Sequence, residues 1–378
     1  MRFPLAILLA AAPAAIAISD NPSWALLPFT KADKVNPVLL PGSGSFTDPI
    51  LHRTVAWEEK DVFNPAVIVR GDRVFLLYRA QDKIGQPAGT SRIGLAESAD
   101  GFHFTRQPAP VLYPDNDGQK KYEWEGGCED LRVVEDEKGV YYMTYTAYDG
   151  NIARLMVATC ADPHLRRWTK HGPAFAKAFH GKYLDKWSKS GAIVSRYIDG
   201  KIIAARIAGK YWMYWGDQFI WAATSDNLTD WTPVEKKPGE RDPVALRGQA
   251  LNMPDLKIVL PTRTGSFDSD LVESGPPAML TAKGILLLYN GRNIPSIGDP
   301  DLPEGTYTAS QALLDSKDPT RILQRMDHYF MRPDKPYELS GQVNAVCFIE
   351  GLALFHHRWF LYYGTADSKI AVATHSGN

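Results

Sequence analysis

The amino-acid sequence predicts an all-β fold, and within that class a five-bladed β-propeller, on three observations. Aromatic residues are abundant, with 10 Trp, 17 Tyr and 15 Phe, and they recur beside Gly, Asp and Asn in short β-like runs rather than at helical spacing. Five segments repeat one pattern, an apolar, aromatic-rich strand that follows a tight polar turn and ends in an aromatic residue: Val74 to Tyr78, Val140 to Tyr145, Tyr211 to Trp215, Ile285 to Tyr289 and Trp359 to Tyr363. Their terminal aromatics are separated by 67, 70, 74 and 74 residues, the spacing of five copies of one unit. Two stacked β-sandwiches leave that regularity unexplained.

The elements of each unit follow in order. A preceding strand and hairpin turn are clear in three copies: Ala66 to Val69 before Arg70-Gly71-Asp72-Arg73, Leu131 to Val134 before Asp136-Glu137-Lys138-Gly139, and Ala278 to Leu280 before Ala282-Lys283-Gly284. A third strand follows in Ile93 to Glu97, Leu155 to Thr159 and Ile220 to Thr224, each ending at an Asp-containing turn. A fourth begins near Phe104, Trp168 and Trp231. Units of three or four antiparallel strands at this period are propeller blades, and five of them consume residues 18–378 as a single domain.

Residues 1–17 read as a signal peptide: Arg2, an apolar run from Leu5 to Ala14, and the small-x-small end Ala15-Ile16-Ala17. The run is too short to span a bilayer, so the expected protein is exported, periplasmic or secreted, with no membrane association after cleavage. With 42 Lys and Arg against 43 Asp and Glu, no basic excess exists to neutralise phosphates, which argues against a nucleic-acid partner. The three cysteines, Cys128, Cys160 and Cys347, show neither CxxC nor zinc spacing; they read as buried or incidental, with room for one disulfide at most. The nine histidines form no HExxH or HxH cluster, and His356-His357 falls in a strand turn, so no catalytic metal and no cofactor are expected.

Polar residues concentrate at two places that an antiparallel blade brings to one face: the start of the first strand and the end of the second. Asp61 and Asn64, Glu129 and Asp130, Lys189, Glu273, and Glu350 occupy the first; Asp82, Asp149, Asp217, Asn293 and Asp367 occupy the second. Taken singly, Asp and Asn are ordinary turn residues. Ten or more around one mouth make a carboxylate-lined pocket with Trp and Tyr faces, suited to neutral sugars, whose hydroxyls donate hydrogen bonds and whose apolar faces stack on rings.

Several motifs then carry a resemblance: Gly126-Gly127-Cys128-Glu129-Asp130-Leu131-Arg132, Lys189-Ser190-Gly191, Trp212-Met213-Tyr214-Trp215-Gly216-Asp217, Glu273-Ser274-Gly275-Pro276-Pro277 and Tyr362-Tyr363-Gly364-Thr365-Ala366-Asp367. Together they resemble glycoside hydrolase family 130. The resemblance implies a five-bladed fold and an inverting enzyme acting on β-mannosides, either a β-1,2-mannosidase or a β-mannoside phosphorylase. It implies that Asp130 is the general acid, acting through a mannose hydroxyl, and that Asp217 and Glu273 are the bases that activate water in the hydrolase branch. The residue at the position of Asp217 is usually Glu in that family; the side chain here is one methylene shorter, which favours Glu273 as the base. Candidate sugar-binding residues are Asn64, Arg79, Asp82, Arg92, Glu129, Arg154, Lys189, Tyr363 and Asp367.

Inversion needs an acid and a base about 6.5–9.5 Å apart, with a water between base and sugar. A phosphorylase instead needs a cationic cradle, for which Arg92, Arg154, Arg167 and Lys189 are the candidates. Export and the second carboxylate favour hydrolysis, because a negative group beside the nucleophile helps deprotonate water and repels phosphate. The expected substrate is a β-mannoside oligosaccharide, probed first with β-1,2-linked mannooligosaccharides. The alternatives are phosphorolysis and a sugar-binding propeller without catalysis, in which Asp130 is an ion-pair partner of Arg132, Lys189 or Arg92.

Overall fold

Strand and turn alternate along the chain as the repeat requires. The computed structural model describes residues 22–376 except Pro87, so the signal-peptide expectation for residues 1–17 lies outside the described residues. Those residues are nearly all β, with two four-residue α-helices, Lys120–Glu123 and Pro336–Leu339, and two short 3-10 segments.

Each repeat is an antiparallel unit. The first comprises Asp61–Arg70, Arg73–Gln81, Ser91–Ser98 and Thr105–Arg106. The second comprises Gly127–Glu135, Tyr141–Tyr148, Ala153–Cys160 and Thr169–Pro173. The third has Ala192–Ile193, Lys210–Trp215, Ile220–Ser225 and Trp231–Pro233. In the fourth, Leu271–Ser274 and Met279–Thr281 both pair with Gly284–Arg292, followed by Tyr307–Leu314 and Ile322–Arg325. The fifth has Cys347–Phe355, Arg358–Thr365 and Lys369–Ser376, and takes its fourth strand, Thr30–Lys31, from the other end of the chain. His356 and His357 form the hairpin turn of that unit, with φ of 46° and 57°, the left-handed values of a primed turn.

Successive residues of a strand point to opposite faces. In the first strand of the first unit, Ala66 and Ile68 pack with Leu131 and Val133 of the second unit, while Val67 and Val69 pack with Ala353 and Phe355 of the fifth. Both faces are covered, which is why the strand runs unbroken and apolar from Pro65 to Val69. Three further interfaces obey the same logic, so five core clusters each join two units, the second to the third through Val134, Met213 and Trp215, the third to the fourth through Tyr214 and Leu287, and the fourth to the fifth through Leu288 and Ile349.

The repeat aromatics serve this core. Tyr78, Tyr145, Tyr289 and Tyr363 are fully buried, and each hydroxyl donates at 2.8 Å to a buried carboxylate from the segment before its unit: Glu58, Glu123, Asp268 and Glu338. A cation on the fourth strand faces each carboxylate, namely Arg106, Lys170, Arg325 and Lys31. Tyr363, expected to bind sugar, is therefore part of an internal latch. In the third unit Trp215 replaces the tyrosine and the latch is absent. That unit also departs from the repeat by an inserted hairpin, Ser195–Ile198 and Lys201–Ala204, whose Ser195 pairs in parallel with Met279 and whose Ile203 pairs in parallel with Glu135. The three cysteines are buried and unpaired.

Candidate active site

The site is built on irregularities in the first strands. Asn64, Asp130 and Glu350 each occupy a β-bulge, where the strand carries one residue more than its partner and a side chain is re-aimed. Asn64 and Asp130 adopt left-handed backbone, with φ of 46° and 41°, as does Ser190 at 57°. Such conformations cost about 1–3 kcal/mol each in bulky residues, less in Asn and Asp, and gather where function demands a particular side-chain direction. Gly127 makes the approach possible: its φ is +107°, and a Cβ there would lie 2.1 Å from the Ser91 carbonyl oxygen.

Those bulges bring five expected site residues together. Asp130 Oδ1 accepts from Asn64 Nδ2 at 2.9 Å and from Arg79 Nη1 at 3.0 Å, and Lys189 Nζ stands 3.3 Å from Asp130 Oδ2. Arg79 Nη2 also donates to Glu129 Oε1 at 2.8 Å, and the guanidinium lies 4.6 Å from the Phe63 ring centre. Burial alone would raise the Asp130 carboxyl, but the Arg79 and Lys189 cations hold it well below the usual carboxylate range. The reverse holds for Asp367, which burial and the Asp130 charge push up to about 7 despite Arg79. Lys189 is lifted above its ordinary value, since Asp130, Glu273 and Glu129 outweigh the effect of burial.

Glu273 forms the second focus. It is 4% exposed and accepts from Ser190 Oγ. Burial, reinforced by the Asp217 charge, pushes its carboxyl up to about 7 against the pull of Lys189. Arg132 ties this focus to the first: rooted in the second unit, its buried guanidinium donates to the carbonyls of Asp130, Ser274 and Gly275, the last two in the fourth unit. Its Nη1 lies 3.4 Å from Glu350, whose carboxyl is fully buried and raised well above the ordinary range by that burial. Asp217 is placed by Gly216, whose φ of +116° turns the chain and where a Cβ would meet the Phe219 carbonyl at 2.3 Å.

Two cavities flank Lys189. One, of about 300 Å³, is lined by Arg79, Gln81, Glu129, Tyr148, Trp187 and Lys189. The other, of about 320 Å³, is lined by Trp187, Lys189, Asp217, Gln218, Glu273, Arg292 and Tyr307 among others. Each is large enough for a sugar-sized ligand. Gln81 Oε1 and Gln218 Oε1 are buried without a partner among the described residues, acceptors suited to a hydroxyl donor.

Three further expected sugar ligands are engaged elsewhere. Asp82 and Arg92 are fully buried and bind each other at 2.6 Å, with Asp48 closing on the other guanidinium nitrogen at 2.6 Å. Asp82 Oδ1 also accepts from the backbone of Ile84, Gly85 and Thr90, so the pair fastens a loop. Arg154 is held by Asp149 at 2.6 Å and Asp185 at 2.9 Å. With Arg92 and Arg154 neutralised in this way and Arg167 beside Asp162 at 3.6 Å, only Lys189 of the expected phosphate cradle lines the site. Asn293 is likewise a turn residue, bonded to Asp299 and Leu302.

Trp187, Gln81, Gln218, Arg292, Tyr307 and Tyr148 were not foreseen. Trp187 stands two residues before the Lys189-Ser190-Gly191 motif in a polar run, an unusual place for tryptophan and the one legible signal. Among the described residues, no group of three or more His, Cys, Asp or Glu is arranged to hold a metal ion.

The all-β units and their carboxylate-rich site define a carbohydrate-active protein. Residues 46–377 match the profile of glycoside hydrolase family 130, described as β-1,4-mannooligosaccharide phosphorylase, and the chain belongs to that family. A glycosyl hydrolase from Bacteroides ovatus shares 45% identity over 94% of this chain and 96% of its own, with a TM-score of 0.87. A second structure, from work on family 130 hydrolases that target β-1,2-mannosidic linkages in Candida mannan, is also 45% identical, covering 94% and 96%, with a TM-score of 0.87. A 1,2-β-oligomannan phosphorylase from Thermoanaerobacter sp. is 28% identical over 84% of this chain and 90% of its own.

Proposed function

We propose that this protein is an inverting β-mannosidase that hydrolyses β-1,2-linked mannooligosaccharides, on a single five-bladed propeller formed by residues 18–378 and exported by way of residues 1–17. The observation that carries the reading is the contrast between two carboxylates: Asp130, held ionised by Arg79 and Lys189, and Glu273, pushed up to about 7 in a cavity it shares with Asp217. An ionised carboxylate holds no proton to give, so Asp130 orients and polarises the relaying mannose hydroxyl, whereas a carboxyl near 7 is matched to taking up a proton at neutral pH. Glu273 takes a proton from the attacking water as the water oxygen bonds to the anomeric carbon. The leaving oxygen receives one through a mannose hydroxyl from the Asp130–Asp367 cluster, where Asp367 retains a proton near neutrality. Asn64, Arg79, Glu129 and Lys189 bind the sugar. The five clusters shared by consecutive units, the last joining the fifth to the first, support the closed ring. The 45% identity to structures described as hydrolases supports water as nucleophile.

Phosphorolysis is the second reading, favoured by the curated phosphorylase relatives at 28% identity and by Lys189 and Arg292 on one cavity wall. Against it stand Glu273 and Asp217, whose charges oppose a phosphate there. The test is incubation of the purified protein with β-1,2-mannobiose, with and without inorganic phosphate. Free mannose irrespective of phosphate, lost in Asp130→Asn, is expected; mannose 1-phosphate formed only with phosphate overturns hydrolysis in favour of phosphorolysis.

A further inference from the structure

The two cavities beside Lys189 share a second wall residue, Trp187. Its indole Nε1 donates to Asp217 Oδ2 at 2.7 Å, and its ring meets Tyr148 edge-on with centroids 6.3 Å apart. The half-buried ring is thus clamped between the second and third units, its one polar atom engaged by protein and its apolar surface left for a ligand.

The two acidic residues of the larger cavity differ in what binds them. Ser190 faces Glu273 with a hydroxyl, which can turn from donor to acceptor when the carboxyl takes up a proton. Trp187 faces Asp217 with an indole N–H, a donor only, which holds that oxygen as an acceptor. We infer that Asp217 is a positioning residue, fixing Trp187 as the stacking platform for the pyranose bound beside Lys189, and that Glu273 is the sole base. This inference rests on the β-mannosidase reading of the same site and assigns a role within it.

Asp217→Asn discriminates, because the amide oxygen still accepts from Trp187 Nε1 while the base is gone. Expected is a kcat/KM within about tenfold of the unaltered protein, the loss lying in KM, against a loss of about 10²-fold or more in kcat for a missing base. The acid limb of its pH profile should also move to lower pH, because one negative charge facing Glu273 is removed. The other groups around Glu273, namely Lys189, Arg132, Glu350, Arg292 and Tyr307, remain. Asp217→Ala and Trp187→Ala should both raise KM by about tenfold, the size of one lost ring contact. In spectra of protein carrying ¹⁵N-labelled tryptophan, the Trp187 indole resonance, identified by its loss in Trp187→Phe, should persist in Asp217→Asn, shift in Asp217→Ala and move on adding β-1,2-mannobiose. A kcat collapse in Asp217→Asn overturns the inference, as does a Trp187 resonance indifferent to Asp217→Ala. Absence of turnover by the unaltered protein counts instead against the mannosidase reading, and the Asp217→Ala spectrum still decides whether Asp217 holds Trp187.

Discussion

Side chain by side chain, the site is a set of opposed proton affinities. In the proposed mechanism Glu273 must be ionised and Asp367 protonated, so kcat/KM should trace a narrow bell centred near pH 7, whose acid limb belongs to Glu273, as a pH-rate profile would read. Glu273→Gln should lower kcat by about 10²–10⁴-fold. The same carboxyl carries a stability consequence of the opposite sign. Its pKa is raised in the folded chain, so between about pH 4 and 7 the native state holds the proton that the unfolded state has released, and stability falls as pH rises. Glu273→Gln should therefore raise the unfolding free energy at pH 8 by on the order of 1–3 kcal/mol and leave it unaltered near pH 4, which chemical denaturation at the two pH values checks. Asp130 runs the other way: its ionised form is favoured by folding, and that contribution is lost as pH falls below the usual carboxylate range.

Among the elements, the latches show how a unit is closed and why part of it was legible. The spacing of Tyr78, Tyr145, Trp215, Tyr289 and Tyr363 is readable because each aromatic occupies the same buried position against a neighbouring unit, so the core imposes the period. Their hydroxyl partners are not readable, since Glu58, Glu123, Asp268 and Glu338 lie 20, 22, 21 and 25 residues upstream, in turns or four-residue helices outside the strand pattern. Tyr145→Phe leaves Glu123 with Lys170 but removes one buried hydrogen bond, and should cost about 1–2 kcal/mol by equilibrium denaturation. The turn positions teach the same lesson. Asp82, Asp149 and Asp367 stand alike in the repeat, yet Asp82 and Asp149 bind backbone amides of their own loops, and only Asp367 faces the Asp130, Arg79 and Lys189 cluster. Nothing local distinguishes them, because the cations that claim or spare each carboxylate come from other strands. Trp187 escaped notice for a related reason: a tryptophan is read as core unless its neighbours argue otherwise. The inserted hairpin of the third unit lacked the terminal aromatic that marks the repeat and so went unrecognised.

For the molecule as a whole, the pairing of Thr30–Lys31 with Lys369–Ser376 joins the first described segment to the last. Lys31 also reaches Glu338, a fully buried carboxylate, at 2.7 Å. Lys31→Ala should destabilise the fold by about 1–3 kcal/mol, less than an isolated buried pair because Asp334 and Lys335 amides still bind Glu338, and a thermal melt would register it. Each of the first four units is drawn from one continuous stretch of chain, but the fifth is not: its outer strand precedes all the other strands described, and the edge it covers follows them. Closing the fifth unit thus ties together strands far apart in sequence, and until that pairing forms the Lys369–Ser376 strand carries an unsheathed outer edge.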